Sequence, residues 1–113
     1  DYMLKMDLEF NKGILFVRLR GKLLRKNCYK INNYLNPVLK KHKIKYVVYN
    51  FFFLKDIDSS GIDAILNTKY IVKNNKGKIR MCEINNNIKE KIKRTRLARI
   101  SNELAAFKLL EVA

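Results

Sequence analysis

Asp58-Ser59-Ser60-Gly61 is the segment of this 113-residue chain whose residue types and spacing point to chemistry. Two adjacent hydroxyls stand between an apolar run that reads as a buried strand, Tyr46 to Leu54, and a run with helical spacing, Ile62, Ile65 and Leu66. At a strand-to-helix junction, the first backbone N–H groups and the helix dipole favour negative charge. A phosphate ester on either hydroxyl would be tolerated by the fold and conspicuous to a partner. The pattern reads as a switch before it reads as a catalytic centre. The plain alternative is an N-cap with no regulation.

Other chemistry has little footing. His42 is the single histidine, in a lysine-rich segment with no carboxylate or nucleophile at usable spacing, and it reads as a solvated helix-end residue. The four glycines are dispersed, so no phosphate-cradling loop is formed. Asp56 and Asp58 lie two apart and could touch a cation, but no third ligand follows. Cys28 and Cys82 lack metal-ligand spacing and read as two reduced thiols. No catalytic residue, metal or cofactor is expected.

The segment has to be held by the rest of one domain, because 113 residues support a single core, spanning 1–113. A hydrophobic content of 48% and a lone proline argue against disorder. No apolar stretch approaches the roughly 20 residues of a membrane span. No basic segment followed by an apolar one opens the chain, and the expected compartment is the cytoplasm. The formal net charge of +15 ordinarily points to nucleic acid or an anionic surface. Here the basic residues spread over Lys22 to Lys30, Lys40 to Lys45, Lys73 to Arg80 and Lys89 to Arg99. Lys, Asn and Ile are all abundant, as AT-rich codons would produce. The simplest reading is a solvated, lysine-rich surface; a nucleic-acid face would need the cluster Lys89 to Arg96 to be more than a solvated helix face.

Period-two alternation of Leu4, Met6, Leu8 and Phe10 predicts a strand, Asn11-Lys12-Gly13 a turn, and Ile14 to Leu19 the second arm of a hairpin ended by Gly21. Asn27 is placed as the cap of a helix reaching Lys41, with Ile31, Tyr34, Leu35, Val38 and Leu39 on one face and Pro37 kinking or dividing it. Tyr46 to Phe53 reads as a central strand covered on both faces. Asp58 or Ser59 caps a second helix through Ile62, Ile65, Leu66, Tyr70, Ile71 and Val72, stopped by Asn74 to Gly77. Lys78 to Ile84 is a further strand. Asn86 or Asn87 caps a helix from Ile88 to Thr95, Leu97 to Ile100 leads out of it, and Asn102 starts a last helix through Leu104, Phe107 and Leu110. The expected architecture is an α/β domain with a mixed sheet of four to five strands and about four helices.

In this order the residues resemble a STAS domain. Val17-Arg18-Leu19-Arg20-Gly21-Lys22-Leu23 looks like its opening strand and glycine, and Tyr46 to Phe51 followed by Asp58-Ser59-Ser60-Gly61-Ile62 like its central strand and signature loop. Asn75 to Cys82 is similar to the next helix-to-strand passage, and the likeness runs through to the ending Phe107 to Ala113. Within the family it resembles the anti-sigma factor antagonists, the sporulation type above all.

That resemblance implies a partner that is both an anti-sigma factor and a serine kinase, with Ser59 as phosphate acceptor. Unphosphorylated, the domain would bind that partner and free a sigma factor; phosphorylated, it would let go, and a phosphoserine phosphatase would reset it. Asp58, Ser59, Ser60, Gly61, Ile62 and Gly21 are then the expected partner-binding residues, with Asp58 and Ser60 as caps and Gly61 admitting the partner's backbone. Two departures stand out. An acidic pair around the family's glycine is replaced here by Gly21-Lys22-Leu23-Leu24, and a Thr-Gly-Leu pattern by Thr95-Arg96-Leu97. The first makes the docking surface more basic and puts the identity of the partner in question. Two alternatives stay open: a small basic nucleic-acid-binding protein, and a STAS regulator of a general stress pathway.

Overall fold

The computed structural model describes residues 3–110. The alternating N-terminal segment forms β1 (Leu4–Asn11), turns at Lys12 and Gly13, both at positive φ, and returns antiparallel as β2 (Ile14–Leu23). Then come α1 (Asn36–Lys41), β3 (Tyr46–Ile57), α2 (Ser59–Asn74), β4 (Lys78–Cys82), α3 (Lys89–Ile92), β5 (Ala98–Arg99) and a 3-10 helix, Leu104–Leu110. The strands lie in the order β1-β2-β3-β4-β5, antiparallel only between β1 and β2. This is the expected α/β architecture with a mixed sheet.

Both faces of the central strands are covered, which is why β2 and β3 lack clean alternation. One face of the sheet (Leu15, Val17, Leu19, Val47, Tyr49, Phe51) packs on Ile31, Leu35 and Leu39 before and within α1 and on Ile62, Ala64, Ile65 and Val72 of α2. On the other face, Ile14, Phe16, Val48 and Cys82 pack on Ala106 of the 3-10 helix. Burial pushes the Cys82 thiol up to about 12 and the Tyr49 phenol well above its ordinary range. The Tyr49 hydroxyl lies 2.7 Å from that of Thr68, which donates to Asn36 Oδ1 at 2.6 Å, so one polar relay joins β3, α2 and α1.

Several expectations are corrected. Gly21 does not end β2: the strand continues to Leu23, with Gly21 at φ +98° and the Met3 carbonyl lying where a Cβ would stand, so that only glycine fits. Asn27 caps no helix; it is buried, accepts from the Leu24 N–H and donates to the Lys22 carbonyl, each at 2.8 Å, and so closes the loop after β2. The helical stretch is divided as Pro37 demands: a π-helical turn, Lys30–Leu35, precedes α1, and Pro37 sits in the first turn, where a missing N–H costs little. Tyr34, Val38 and Tyr70 are exposed rather than packed. β3 runs four residues past Phe53, and Phe52 and Phe53 are exposed. β4 stops at Cys82 because Glu83 turns to positive φ. The predicted third helix is split into α3 and a 3-10 turn, Lys93–Thr95, with no side-chain cap from Asn86 or Asn87, and the segment after it pairs as β5. Arg96 takes the left-handed region at φ 53°, a conformation glycine adopts most readily. Asn102 accepts from the Ala105 N–H at 2.9 Å at the start of the last helix, as expected; residues 111–113 of the predicted ending lie outside the described residues.

One charged clamp ties the 3-10 segment to the sheet. Arg18 grips Glu103 through two hydrogen bonds, 2.8 and 2.7 Å, and Asn50 donates to the same carboxylate at 2.7 Å; Glu9 and Asp7 hold the guanidinium from β1 at 2.8 and 3.2 Å. The Arg18 hydrogen bonds hold the Glu103 carboxyl below the usual carboxylate range. A group whose folded pKa is depressed gives stability that is present above its unfolded pKa, about 4.3, and is lost as pH falls through the folded value. Glu103→Gln is therefore expected to cost about 1–2 kcal/mol at pH 7 and to show a shallower loss of stability below about pH 4. Denaturant unfolding of both proteins from pH 7 to pH 3 checks this, and parallel stability curves would sink it.

Candidate functional site: the start of helix α2

β2 and β3 run parallel and finish together, Leu23 opposite Ile57. The next residue, Asp58, donates its N–H to the Leu23 carbonyl at 3.2 Å and leaves the strand in extended geometry, φ −107° and ψ −175°. The chain then enters the sixteen-residue α2. Asp58 is the N-cap: its Oδ1 accepts from the Gly61 N–H at 2.9 Å, while Oδ2 accepts from the Arg25 N–H at 2.9 Å. One carboxylate thus closes the helix and fastens the loop after β2 to it. The closed loop borders an open depression of about 510 Å³ lined by Leu24, Arg25, Lys26 and Asp58.

With capping assigned to Asp58, the serines are spared. Ser59 is exposed and Ser60 half-buried, and neither hydroxyl has a hydrogen-bond partner among the described residues. Ser60 therefore does not take the second capping role expected of it. Gly61 and Ile62 face inward. The close approach expected at Gly61 is made within the chain, since a Cβ there would stand 2.5 Å from the Leu23 carbonyl oxygen and 2.8 Å from the Ile57 side chain. Ile62 is 2% exposed and belongs to the core. Gly21 lies opposite Leu54 and fits β2 beneath Met3, so it too supports the site from behind. The surface of the predicted motif reduces to Asp58, Ser59 and Ser60.

The two aspartates form no cation site. Asp56 accepts from Lys91 at 2.7 Å and from the Ile57 N–H at 2.8 Å, and the Lys91 hydrogen bond is the main reason its carboxyl lies below the usual range. Among the described residues no group of three or more His, Cys, Asp or Glu could hold a metal ion, and no helix is long and apolar enough to cross a membrane.

Asn85 was invisible in the sequence. Its side-chain amide donates to the carbonyls of Phe51, Phe52 and Leu54 at 3.0, 3.0 and 2.7 Å, holding the half of β3 that projects beyond β4. An asparagine in an Asn85-Asn86-Asn87 run gives no local hint of that task.

A family model described as the STAS domain matches residues 5–108. The chain belongs to the STAS domain family. This STAS domain is 25% identical over 113 residues to the anti-sigma F factor antagonist of Paenibacillus polymyxa, covering 96% of this chain and 97% of that protein. Its fold is that of the anti-sigma factor antagonist SpoIIAA in its unphosphorylated form (TM-score 0.77, 16% identity, 96% of this chain and 100% of that chain). The Bacillus cell fate determinant SpoIIAA in its phosphorylated form is equally similar (TM-score 0.76, 17% identity, 94% and 99%).

Proposed function

We propose that this STAS domain is an anti-sigma factor antagonist switched by phosphorylation of Ser59, acting in transcriptional control of the sporulation type. Unphosphorylated, it binds an anti-sigma factor with serine kinase activity and so releases a sigma factor. Phosphate on Ser59 ends that binding, and a phosphoserine phosphatase restores it. The domain performs no catalysis of its own.

The observation that carries this reading is the division of labour at the start of α2. Asp58 satisfies the cap and the loop, leaving the Ser59 hydroxyl exposed and unengaged at the first position of the helix. A phosphoserine brings about −1.5 to −2 charges and three acceptor oxygens. At a helix N-terminus such charge is favourable by about 0.3–1 kcal/mol, so the fold absorbs it and the change falls on the docking surface. The relatives' names, an anti-sigma F factor antagonist and SpoIIAA in both phosphorylation states, support the same assignment.

Incubated with ATP and the cognate anti-sigma factor, the domain should gain a single phosphate, read by intact-mass measurement, and then elute apart from its partner in size-exclusion chromatography. A domain that takes up no phosphate, or stays bound after taking it up, contradicts the proposal.

A further inference from the structure

The face of the sheet that carries the 3-10 helix changes character beyond the Arg18–Glu103 clamp. Between the pairs Arg18–Asn50 and Arg20–Phe53 the register slips, and β3 spends one extra residue. Phe52 and Phe53 consequently both leave the core, 55% and 49% exposed, with their rings edge-to-face at 4.8 Å. The Arg20 guanidinium lies 4.3 Å from the centre of the Phe53 ring. The three hydrogen bonds from Asn85 to the carbonyls of Phe51, Phe52 and Leu54 fix the backbone that carries these rings. The ledge is therefore a built feature rather than a loose loop.

Cations surround it. Lys5 stands opposite Arg20 across the hairpin, and Lys5, Arg20 and Lys55 line an open depression of about 250 Å³. A second depression, of about 480 Å³, lies between Lys5, Arg20 and Phe53. The neighbouring carboxylates are engaged within the chain, Asp7 by Arg18 and Asp56 by Lys91. What faces outward is an aromatic pair in a positive rim. It sits at the same end of the sheet as the switch: Phe53 precedes Ser59 by six residues of extended chain, roughly 20 Å, well inside one interface of ordinary size.

We propose that the docking surface of the Ser59 switch extends over Phe52, Phe53 and Arg20, and that it fits a protein partner presenting an apolar socket rimmed by carboxylates. This rests on the reading of the domain as an anti-sigma factor antagonist. Aromatic residues and arginine are the side chains that most often anchor protein interfaces, and complementary charge sets their orientation and association rate. A nucleic-acid strand fits less well. One face of Phe53 is occupied by Arg20, and edge-to-face rings offer no parallel platforms for successive bases.

The test measures binding of the unphosphorylated domain to its cognate anti-sigma factor by calorimetry at two salt concentrations, for the parent, Phe53→Ala, Arg20→Glu and Ser59→Asp. Lys5→Glu serves as a variant that leaves both rings in place, and thermal unfolding confirms that each protein is folded. Phe53→Ala and Arg20→Glu should weaken binding by roughly tenfold or more, and the charge reversals should flatten its salt dependence. If Ser59→Asp abolishes binding while Phe53→Ala, Arg20→Glu and Lys5→Glu bind like the parent, the ledge is overturned and the switch stands. If the parent itself does not bind the anti-sigma factor, both readings fall. If the ledge variants lose affinity for a single-stranded oligonucleotide but not for the anti-sigma factor, the proposal is overturned in favour of a nucleic-acid surface.

Discussion

Ser59→Ala is expected to abolish phosphate uptake by the domain while leaving it folded and able to hold its anti-sigma partner. The Ser59 hydroxyl contributes no hydrogen bond among the described residues, and the capping work belongs to Asp58. Removing that oxygen leaves no buried group unsatisfied, and alanine is a better helix former than serine. Stability should therefore move by no more than about 0.5 kcal/mol, the usual range for a surface substitution. The effect on the switch is all or none, because the acceptor oxygen is gone. Ser60→Ala separates the two hydroxyls. Ser60 is half-buried one position further into the helix, so its variant should still take up one phosphate. Intact-mass measurement after incubation with kinase and ATP reads both variants. A Ser59→Ala protein labelled as fully as the parent would move the acceptor elsewhere, with Ser60 the first place to look.

The parts of this molecule legible in its sequence are those fixed by neighbours in the chain. The hairpin needs only the alternation from Leu4 and the turn at Lys12-Gly13, and the start of α2 needs only a carboxylate three residues before an amide it can reach. The errors fall where pairing is long-range. Nothing near Lys22-Leu23 or Lys55-Asp56-Ile57 says strand; they are strand because they face each other across 34 residues, Leu23 on Ile57. β5 is two residues held by β4 alone, and no periodicity can announce it. Helical spacing marked Tyr34, Val38 and Tyr70 as inward, but spacing gives a stripe and not its limits, and packing buried only Ile31, Leu35 and Leu39 on one side of that stripe. Phe51-Phe52-Phe53 did hold a usable signal: three consecutive aromatics on a strand of period two cannot all face one core.

The sequence marks Gly61 as a point of close approach by a partner's backbone, whereas the approach is made by Leu23 and Ile57 of the same chain, which leads to the largest stability effect expected here. Gly61→Ala should destabilise the domain by about 3 kcal/mol, at the upper end of overpacking costs. Two effects oppose each other. Alanine in a helix is favoured over glycine by up to about 1 kcal/mol, and Gly61 has an ordinary helical backbone with no positive φ to penalise a side chain. Against this, the new Cβ would stand 2.5 Å from the Leu23 carbonyl oxygen, 2.8 Å from Ile57 Cγ1 and 2.9 Å from Leu23 Cγ. Side chains can swing aside, but the Leu23 carbonyl belongs to the backbone of β2 and accepts the Asp58 N–H, so relief requires the helix start to lift off the strand end. The lift would also stretch the Asp58 link to the Arg25 amide, freeing the loop that borders the switch. The clash therefore outweighs the propensity gain. Denaturant unfolding should show the loss, and amide exchange should show the Arg25 and Gly61 N–H groups losing protection before the sheet does. Leu23→Ala combined with Gly61→Ala removes the Leu23 side-chain contact but neither the carbonyl nor the Ile57 contact, and should restore none of the stability. Full recovery in that double variant would mean that the tight seat is made by the leucine side chain and that the backbone contact bears no strain.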